Sequence, residues 1–329
     1  MTKTMHFFGF SVTRHGSPTT YVEELKKLRI DCNITSSALG GVSFDLLPYI
    51  MPLLCKERPE ILVLEVGTSG FAKDCRALPD DVEKMVSAIV ESAYHYGIKN
   101  LIFMMLPRRD LPRPCIIMMA LSKLSQIYNF GILNLQHAYE DNWMDYANDD
   151  VHPNRSGVLF VVDQFTIFLD EYLKKSHGLT FPNNFRNHKD FLSIVECADL
   201  YNHPLLTKFE LSGFSFLFPS LPSGTSISAK FDFDVKVEGF LFLMGPDTSA
   251  IRVHADSNDV IIKTFDKNCY YYRIGFRPLH TPLIILKNSK IIIDSIDERH
   301  DVSLLRESRF PTSGIRNYPI GICFTRDIS

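Results

Sequence analysis

The pattern of apolar residues changes part-way along the chain, and this change limits the folds that the chain can adopt. Up to about residue 177, short apolar runs rich in aromatic and β-branched residues alternate with longer amphipathic segments, which is typical of βαβ units. From Phe209 onward, apolar runs follow one another about every 8–12 residues with turn residues between them, as in a β-sandwich or jelly roll. The chain therefore has two regions of different fold class.

The first region is predicted to be α/β. The predicted strands are His6–Phe10, Asp31–Thr35, Glu60–Val66, Asn100–Met105 and Ile132–Leu135. The predicted helices lie near 20–28, 43–55, 80–96, 113–128 and 155–175. The third strand segment, EILVLEV, is apolar enough for the middle of a parallel sheet. We therefore predict a doubly wound five-stranded parallel sheet, whose ligands bind at the carboxyl ends of its strands.

The second region is predicted to be all-β. Between the two regions, the segment 178–205 carries Gly, Pro and Asn without a sustained period, which predicts a linker or an irregular packing segment. We therefore expect an α/β domain over 1–177 and a C-terminal β-sandwich or jelly-roll domain over 206–329. Alternation in the segment AKFDFDVKV predicts four inward-facing side chains, those of Phe231, Phe233, Val235 and Val237.

Charge and cysteine content exclude several classes of protein. The formal net charge is −3, with acids and bases scattered along the chain, so nucleic acid is not expected as a partner. The seven cysteines form no C-x-x-C pair, which indicates free thiols in a reducing compartment. The N-terminus is a poor secretory signal, and no apolar stretch of the length that a membrane span needs is present. We expect a cytoplasmic protein without metal or cofactor; the oligomeric state stays open.

Ser11 follows the first predicted strand directly, in the segment Gly9-Phe10-Ser11-Val12-Thr13. This position puts it at the carboxyl edge of the sheet, where a nucleophile can face a cleft and a following helix can lend backbone N–H groups to an oxyanion. A serine in such a place is also a common turn former or helix cap. Ser11 alone therefore does not indicate catalysis.

A second polar segment, Asp149-Asp150-Val151-His152-Pro153-Asn154, stands after the fifth predicted strand and before the last helix. A serine hydroxyl becomes a good nucleophile when an imidazole takes its proton and a carboxylate holds the other ring nitrogen. Asp149 is three residues before His152 and can reach the ring, whereas Asp150 is the less well placed alternative. Asn154 can also cap the following helix, which is compatible with catalysis.

These two segments resemble the first and fifth blocks of the SGNH/GDSL hydrolase superfamily, which read G-D-S-[IL]-[ST] and D-x-x-H-x-N/P. The match covers roughly residues 1–177 in order, spacing and topological position. The resemblance implies a flavodoxin-like SGNH-hydrolase fold. It also implies a catalytic triad with Ser11 as nucleophile, His152 as general base and then acid, and Asp149 as the orienting carboxylate.

The resemblance extends to the oxyanion hole, with two departures. The segment Leu39-Gly40-Gly41-Val42-Ser43 resembles the second block, which implies that the N–H groups of Gly41 and Ser11 bind the oxyanion; Gly40 and Gly41 can equally form a plain turn. Phe10 stands where the first block is acidic. Gly67-Thr68-Ser69-Gly70 stands where the third block reads G-x-N-D, so Ser69 takes the place of the asparagine that donates to the oxyanion.

The resemblance implies hydrolysis or transfer of a short acyl group, with acetyl on a carbohydrate hydroxyl as the expected substrate. Arg108 and Arg109 follow the fourth strand on the same edge and can bind an anionic or sugar substrate, although loop arginines are often only solvated. A β domain beside the cleft is expected to hold a glycan, and the lack of a signal favours polysaccharide biosynthesis inside the cell. The alternative is a non-catalytic glycan-binding protein that kept the fold, against which the intact triad argues.

Overall fold

The computed structural model describes residues 2–14, 18–69, 78–111, 115–175, 178–181, 189–199, 206–255, 258–299, 302–308, 310 and 314–326. These residues form two compact units. The first unit comprises the described residues between Met1 and Asn187 together with Leu211–Phe214. The second unit comprises those between His188 and Glu210 and those from Ser215 to the C-terminus. No helix in the described ranges has the length and apolar character that a bilayer crossing requires.

The first unit contains a five-stranded parallel sheet in the order β2-β1-β3-β4-β5. Its strands are β1 (Lys3–Gly9), β2 (Cys32–Ala38), β3 (Ile61–Glu65), β4 (Asn100–Met105) and β5 (Gly131–Asn134). All five residues of β3 are buried, which fits its central place in the sheet. The predicted doubly wound α/β fold class is confirmed.

Seven α-helices lie in the described part of the first unit. They are α1 (Ser11–Arg14), α2 (Tyr21–Leu28), α3 (Leu47–Cys55), α4 (Pro79–His95), α5 (Ile116–Tyr128), α6 (Trp143–Tyr146) and α7 (Arg155–Lys175). Short 3-10 turns cover Phe44–Leu46 and Glu140–Asn142. The start of α2 follows from its sequence, because Thr20 and Glu23 form a capping box. The five predicted helices are present; residues 113 and 114 of the fourth lie outside the described ranges.

Apolar side chains of the sheet pack against α2 and α7. Phe7 of β1 and Val63 of β3 belong to one buried cluster with Phe165 of α7, and the rings of Phe7 and Phe165 lie 5.2 Å apart between centroids. Burial of each such side chain stabilises the fold by about 1.5–3 kcal/mol. This packing holds the sheet and the helix that follows the His152 segment as one body.

The second unit is built from antiparallel sheets. Ten of its strands are β6 (Lys189–Ser193), β7 (Ala198–Asp199), β10 (Leu221–Pro222), β11 (Ser226–Lys230), β12 (Val235–Met244), β13 (Ala250–Ala255), β14 (Asn258–Lys263), β15 (Arg273–Ile285), β16 (Lys290–Ile296) and β17 (Arg316–Arg326).

These strands form two sheets. One sheet has the order β10-β17-β12-β15, with β6 paired to β17, and the other has the order β14-β13-β16-β11-β7. A hairpin of β8 (Leu206–Leu211) and β9 (Phe214–Pro219) forms a separate two-stranded sheet. The predicted all-β class of this region is confirmed.

Two local predictions differ from the structure. The segment 178–205 was expected to be irregular, but β6 and the short helix α8 (Ile194–Cys197) lie within it, and β6 pairs with β17. Residues 182–188 and 200–205 lie outside the described ranges. The segment AKFDFDVKV is not one strand, because the chain passes at 231–234 from β11 in one sheet to β12 in the other. Phe233 is consequently only half-buried, whereas Phe231, Val235 and Val237 are buried.

Candidate active site

Ser11 stands where the first strand of the parallel sheet ends. β1 finishes at Gly9, which pairs with Ala38 of β2, and α1 begins at Ser11. The turn between them is too tight for a side chain at position 9, because a Cβ there would lie 1.9 Å from Thr13 Oγ1. Glycine is therefore needed before the serine turn, and Ser11 lies half-buried at the carboxyl edge of the sheet.

His152 lies on a loop between α6 and α7 that is closed by two backbone hydrogen bonds. The Asn148 N–H donates to the His152 carbonyl at 2.8 Å, and the Asn154 N–H donates to the Tyr146 carbonyl at 2.9 Å. The Asn154 side chain also accepts a hydrogen bond from the Gly157 N–H at 3.1 Å, as the cap of a helix does. Helix capping and the presentation of His152 therefore coexist in this loop.

Asp149 turns its carboxylate toward the imidazole. Oδ1 accepts from the N–H groups of Val151 at 2.8 Å and His152 at 2.7 Å, and His152 Nδ1 lies 2.9 Å from Oδ2. Partial burial disfavours the charge, but hydrogen bonds from the backbone and ring of His152 outweigh it, so the pKa of Asp149 is lowered. Of the two carboxylates considered, Asp149 is the one that the structure pairs with His152.

The other ring nitrogen of His152 faces the serine. Nε2 lies 3.2 Å from Ser11 Oγ. Because an ionised carboxylate can only accept, Nδ1 is the donor to Asp149, and in a neutral imidazole Nε2 is then the acceptor that faces the hydroxyl. The side chains of His152 and Asp149 are 37% and 57% exposed, so a substrate can reach the group. An imidazole held between a hydroxyl and a carboxylate can take the proton of that hydroxyl.

A buried carboxylate lies next to the serine turn. Glu65 ends the central strand β3; its Oε2 accepts from the Phe10 N–H at 3.3 Å and its Oε1 from the Thr68 N–H at 2.8 Å. The Thr68 hydroxyl also donates to Oε2 at 2.8 Å. Burial raises the pKa of Glu65 against the effect of these donors. Glu65 thus joins the residue before Ser11 to the turn that follows β3.

Sequence reasoning did not single out Glu65, although two signals pointed to it. Glu65 is an acidic residue near the end of an otherwise apolar strand segment, and Phe10 stands where the SGNH/GDSL first block has an acidic residue. In the structure, a carboxylate from the neighbouring strand contacts the backbone of that same position. Where a motif lacks its usual acidic residue, an acidic residue at the end of an adjacent strand can therefore contact the same position.

Arg108 is hydrogen-bonded within the protein. Its Nη1 donates to the carbonyls of Thr68 at 2.8 Å and Ser69 at 3.0 Å, and its Nε donates to the Asp110 carboxylate at 2.5 Å. The side chain is only 9% exposed. These contacts hold the turn after β3 and give Arg108 a structural role, while its contact with a substrate stays a prediction.

Arg109 and Trp143 border the His152 loop. Arg109 is exposed, and its backbone N–H donates to the Asp150 carbonyl at 2.9 Å. The indole N–H of Trp143 donates to the Asp149 carbonyl at 2.9 Å. Both residues line a cavity of about 250 Å³. The structure therefore places Arg109 where a bound molecule can meet it.

The two remaining oxyanion candidates lie on the turns after β2 and β3, the two strands that flank β1. Gly41 adopts a φ of 77°, in the left-handed region that favours glycine, on the turn after β2. Ser69 is buried on the turn after β3, where its hydroxyl donates to the Val66 carbonyl at 3.3 Å. Their predicted part in binding an oxyanion stays a prediction. Within the described residues, no group of three His, Cys, Asp or Glu residues is arranged to hold a metal ion.

The order of the parallel strands and the helices that flank the sheet match the α/β fold of the SGNH/GDSL hydrolases, followed here by a β region. No family model matches the sequence, and no curated protein is similar to it in sequence. Solved structures do share the fold. A two-domain esterase, CEX, active on acetylated mannans and co-crystallised with mannopentaose, matches with a TM-score of 0.71 and 13% identity. That match covers 99% of this chain and 91% of the other.

A second crystal structure of CEX matches with a TM-score of 0.70, again at 13% identity, over 99% of this chain and 92% of the other. The likeness thus spans both regions of the chain. At this identity it establishes the shared fold. The chemistry of this chain has to be argued from its own residues.

Proposed function

We propose that this protein is a serine esterase that removes an acetyl group from a carbohydrate hydroxyl through an acyl-Ser11 intermediate. The observation that carries the proposal is the position of the His152 imidazole between two groups. Its Nε2 lies 3.2 Å from Ser11 Oγ, and its Nδ1 lies 2.9 Å from Asp149 Oδ2. The acetyl and carbohydrate parts of the proposal are supported by the shared fold with an esterase active on acetylated mannans.

The reaction follows from this order of groups. His152 Nε2 takes the Ser11 proton while Oγ attacks the ester carbonyl carbon, and the carbonyl electron pair moves to the oxygen. The tetrahedral intermediate collapses as the imidazolium gives its proton to the departing sugar oxygen, which leaves acetyl on Ser11. Water then attacks the acyl-serine with His152 again as base, and acetate is released. A second sugar hydroxyl in place of that water would make the enzyme an acetyltransferase.

The developing oxyanion needs hydrogen-bond donors on the same edge of the sheet. We assign the backbone N–H groups of Ser11 and Gly41 to this role, because β1 and β2 are adjacent and their last residues are paired. Ser69 supports the role less well, since its hydroxyl donates to the Val66 carbonyl. Glu65 is hydrogen-bonded to the residue before Ser11, and both Glu65 and Arg108 are hydrogen-bonded to the turn that carries Ser69.

Two measurements test the proposed function. A fluorophosphonate probe should label the wild-type protein at Ser11, as read by peptide mass spectrometry, and p-nitrophenyl acetate should be hydrolysed. Acetylated mannooligosaccharides should then lose acetyl groups by mass spectrometry. Binding of these sugars with neither labelling nor turnover would instead favour the alternative, a non-catalytic glycan-binding protein.

The glycan-holding role of residues 206–329 is also a proposal, and the fold dictates how it can be tested. Deleting everything after 205 would remove Leu211–Phe214, which belong to the first unit. There the Ala38 N–H donates to the Ser212 carbonyl at 3.0 Å. Substitutions on exposed strand faces are therefore the better test: they should weaken turnover of the glycan and leave turnover of p-nitrophenyl acetate unchanged.

A further inference from the structure

A polar cavity opens beside the His152 loop, within the first unit. Its volume is about 250 Å³, and it lies among the segments that follow β4 and β5. The carboxyl ends of these parallel strands meet at the same edge of the sheet as Ser11. The lining residues are Arg108, Arg109, Leu111, Gln136, His137, Glu140 and Trp143.

Hydrogen bonds connect the wall of this cavity to the loop that carries His152. The Trp143 indole N–H donates to the Asp149 carbonyl, and the Arg109 backbone N–H donates to the Asp150 carbonyl, both at 2.9 Å. A molecule seated in the cavity therefore contacts Trp143 and Arg109, which are hydrogen-bonded to the loop that carries His152. Ser11, Asp149 and His152 are not among the lining residues, so the cavity would receive a part of the substrate other than the reacting ester.

Gln136 is the residue that points to a ligand. It is only 5% exposed, and its backbone N–H donates to Asn134 Oδ1. Among the residues that the structure describes, none forms a hydrogen bond with the side-chain amide of Gln136, which lines the cavity. The amide is not cut off from solvent: it lines the cavity, where a bound molecule can both donate to it and accept from it.

The other polar groups define the chemistry of that partner. Glu140 presents a carboxylate, which is hydrogen-bonded to His137 Nδ1, and Arg109 presents a guanidinium. Gln136 can both donate and accept. Hydroxyl groups also donate and accept, so they can pair with the amide, the carboxylate and the guanidinium. An acyl chain would offer no hydrogen bonds to these three groups. An anion would be repelled by the Glu140 carboxylate. The volume lies below the roughly 300–1,000 Å³ of drug-sized sites, which suits a single ring.

We propose that this cavity is a sugar subsite that binds one neutral, polyhydroxylated ring of the ester substrate, with Gln136 and Glu140 as its specificity residues. The inference builds on the proposed esterase function and names the part of the substrate that binds next to the His152 loop. Hydrogen bonds to sugar hydroxyls should lower KM for sugar esters and contribute nothing to a small aryl ester.

The test uses Trp143, the only tryptophan of the chain, as a reporter inside the cavity. In the full-length Ser11→Ala variant, glucose, mannose, galactose, glucuronate and mannopentaose are titrated while tryptophan fluorescence is followed. We expect a saturable change with at least one neutral sugar. Gln136→Leu in the same background should weaken that binding at least tenfold, and Gln126→Leu, on the exposed face of α5, should not.

Kinetics provide the second readout. Gln136→Leu and Glu140→Gln should raise KM for acetylated mannooligosaccharides at least tenfold, a larger factor than any change that they cause in KM for p-nitrophenyl acetate. The Tm of Gln136→Leu should stay close to that of the wild type, which separates a loss of sugar binding from a loss of folding. No fluorescence response to any sugar, or unchanged KM in both variants, would overturn the subsite. A preference for glucuronate would overturn the neutral class.

Failure of the proposed esterase function gives a different pattern. The wild-type protein would then neither react with the fluorophosphonate probe nor hydrolyse p-nitrophenyl acetate. The fluorescence titration does not depend on turnover and still decides whether a sugar occupies the cavity.

Discussion

Each unit of the molecule brings a serine, a histidine and an aspartate together, but the three groups are joined in a different order. In the first unit the imidazole of His152 lies between Ser11 and Asp149. In the second unit the carboxylate lies in the middle. Asp294 accepts from the Ser226 hydroxyl at 2.5 Å through Oδ1 and lies 2.7 Å from His254 Nε2 through Oδ2.

The order decides what each cluster can do. A carboxylate between a hydroxyl and an imidazole accepts from both, so the imidazole has no path to the hydroxyl proton. The second cluster also sits on neighbouring strands, where Ser226 is paired directly with Asp294 across β11 and β16. Cross-strand pairs of this kind stabilise a sheet. Of the two clusters, therefore, only the first places an imidazole against the serine hydroxyl.

The largest expected effect separates the two serines. Ser11→Ala should lower kcat for p-nitrophenyl acetate by at least about 10⁴-fold and abolish fluorophosphonate labelling, because members of a triad act as a unit. Ser226→Ala is the matched control and should keep wild-type turnover and labelling. Labelling of Ser226, or normal turnover in Ser11→Ala, would contradict the comparison.

The next effect concerns the aspartates. Asp149→Asn should lower kcat by roughly 10²–10⁴-fold, because the asparagine amide no longer holds the imidazole in the required tautomer. Asp294→Asn should leave kcat unchanged. Asp150→Asn serves as a local control, and a loss of kcat there that equals the loss in Asp149→Asn would contradict the assignment of Asp149 as the carboxylate that orients His152. Steady-state kinetics on p-nitrophenyl acetate measure all three.

A smaller effect is expected at the carboxylate that ties the serine turn of the first cluster. Glu65→Gln replaces one acceptor oxygen by a donor, so the Phe10 N–H or a Thr68 donor loses its partner. We expect kcat to fall about 10–100-fold with KM for p-nitrophenyl acetate unchanged, and stability to fall by about 1–3 kcal/mol. Denaturant unfolding and kinetics measured together would show whether the two losses coincide. A loss of stability with intact kcat would make Glu65 a folding residue only.

The smallest effect is expected at Ser69. Its hydroxyl donates to the Val66 carbonyl, so Ser69→Ala should change kcat by less than about threefold, whereas loss of a true oxyanion donor costs about 10²–10³-fold. Ser69→Asn tests the position in the other direction. A clear rise of kcat in Ser69→Asn together with a fall in Ser69→Ala would restore Ser69 to the oxyanion hole. Measuring kcat and KM separately is essential, because the oxyanion forms only after binding.

The sequence alone determined the parallel sheet and the three groups at its edge. The five predicted strands agree with β1 to β5 to within three residues at either end, because apolar runs bounded by turn residues specify buried strands locally. Ser11, Asp149 and His152 were recognisable because their two segments resemble blocks of the SGNH/GDSL hydrolases, and because parallel strands bring their carboxyl ends to one edge. Topology therefore predicts that residues distant in sequence lie close together there.

Only the tertiary structure decided which side chains contact the segments at that edge of the sheet. It also decided where a second cluster of serine, histidine and aspartate forms. The contact of Glu65 with the Phe10 backbone, the buried amide of Gln136 and the Ser226–Asp294–His254 cluster each depend on side chains from separate elements. No local pattern specifies such meetings. The crossing between sheets at 231–234 is of the same kind, because alternation of apolar residues shows which side chains are buried but not which strand they pair with.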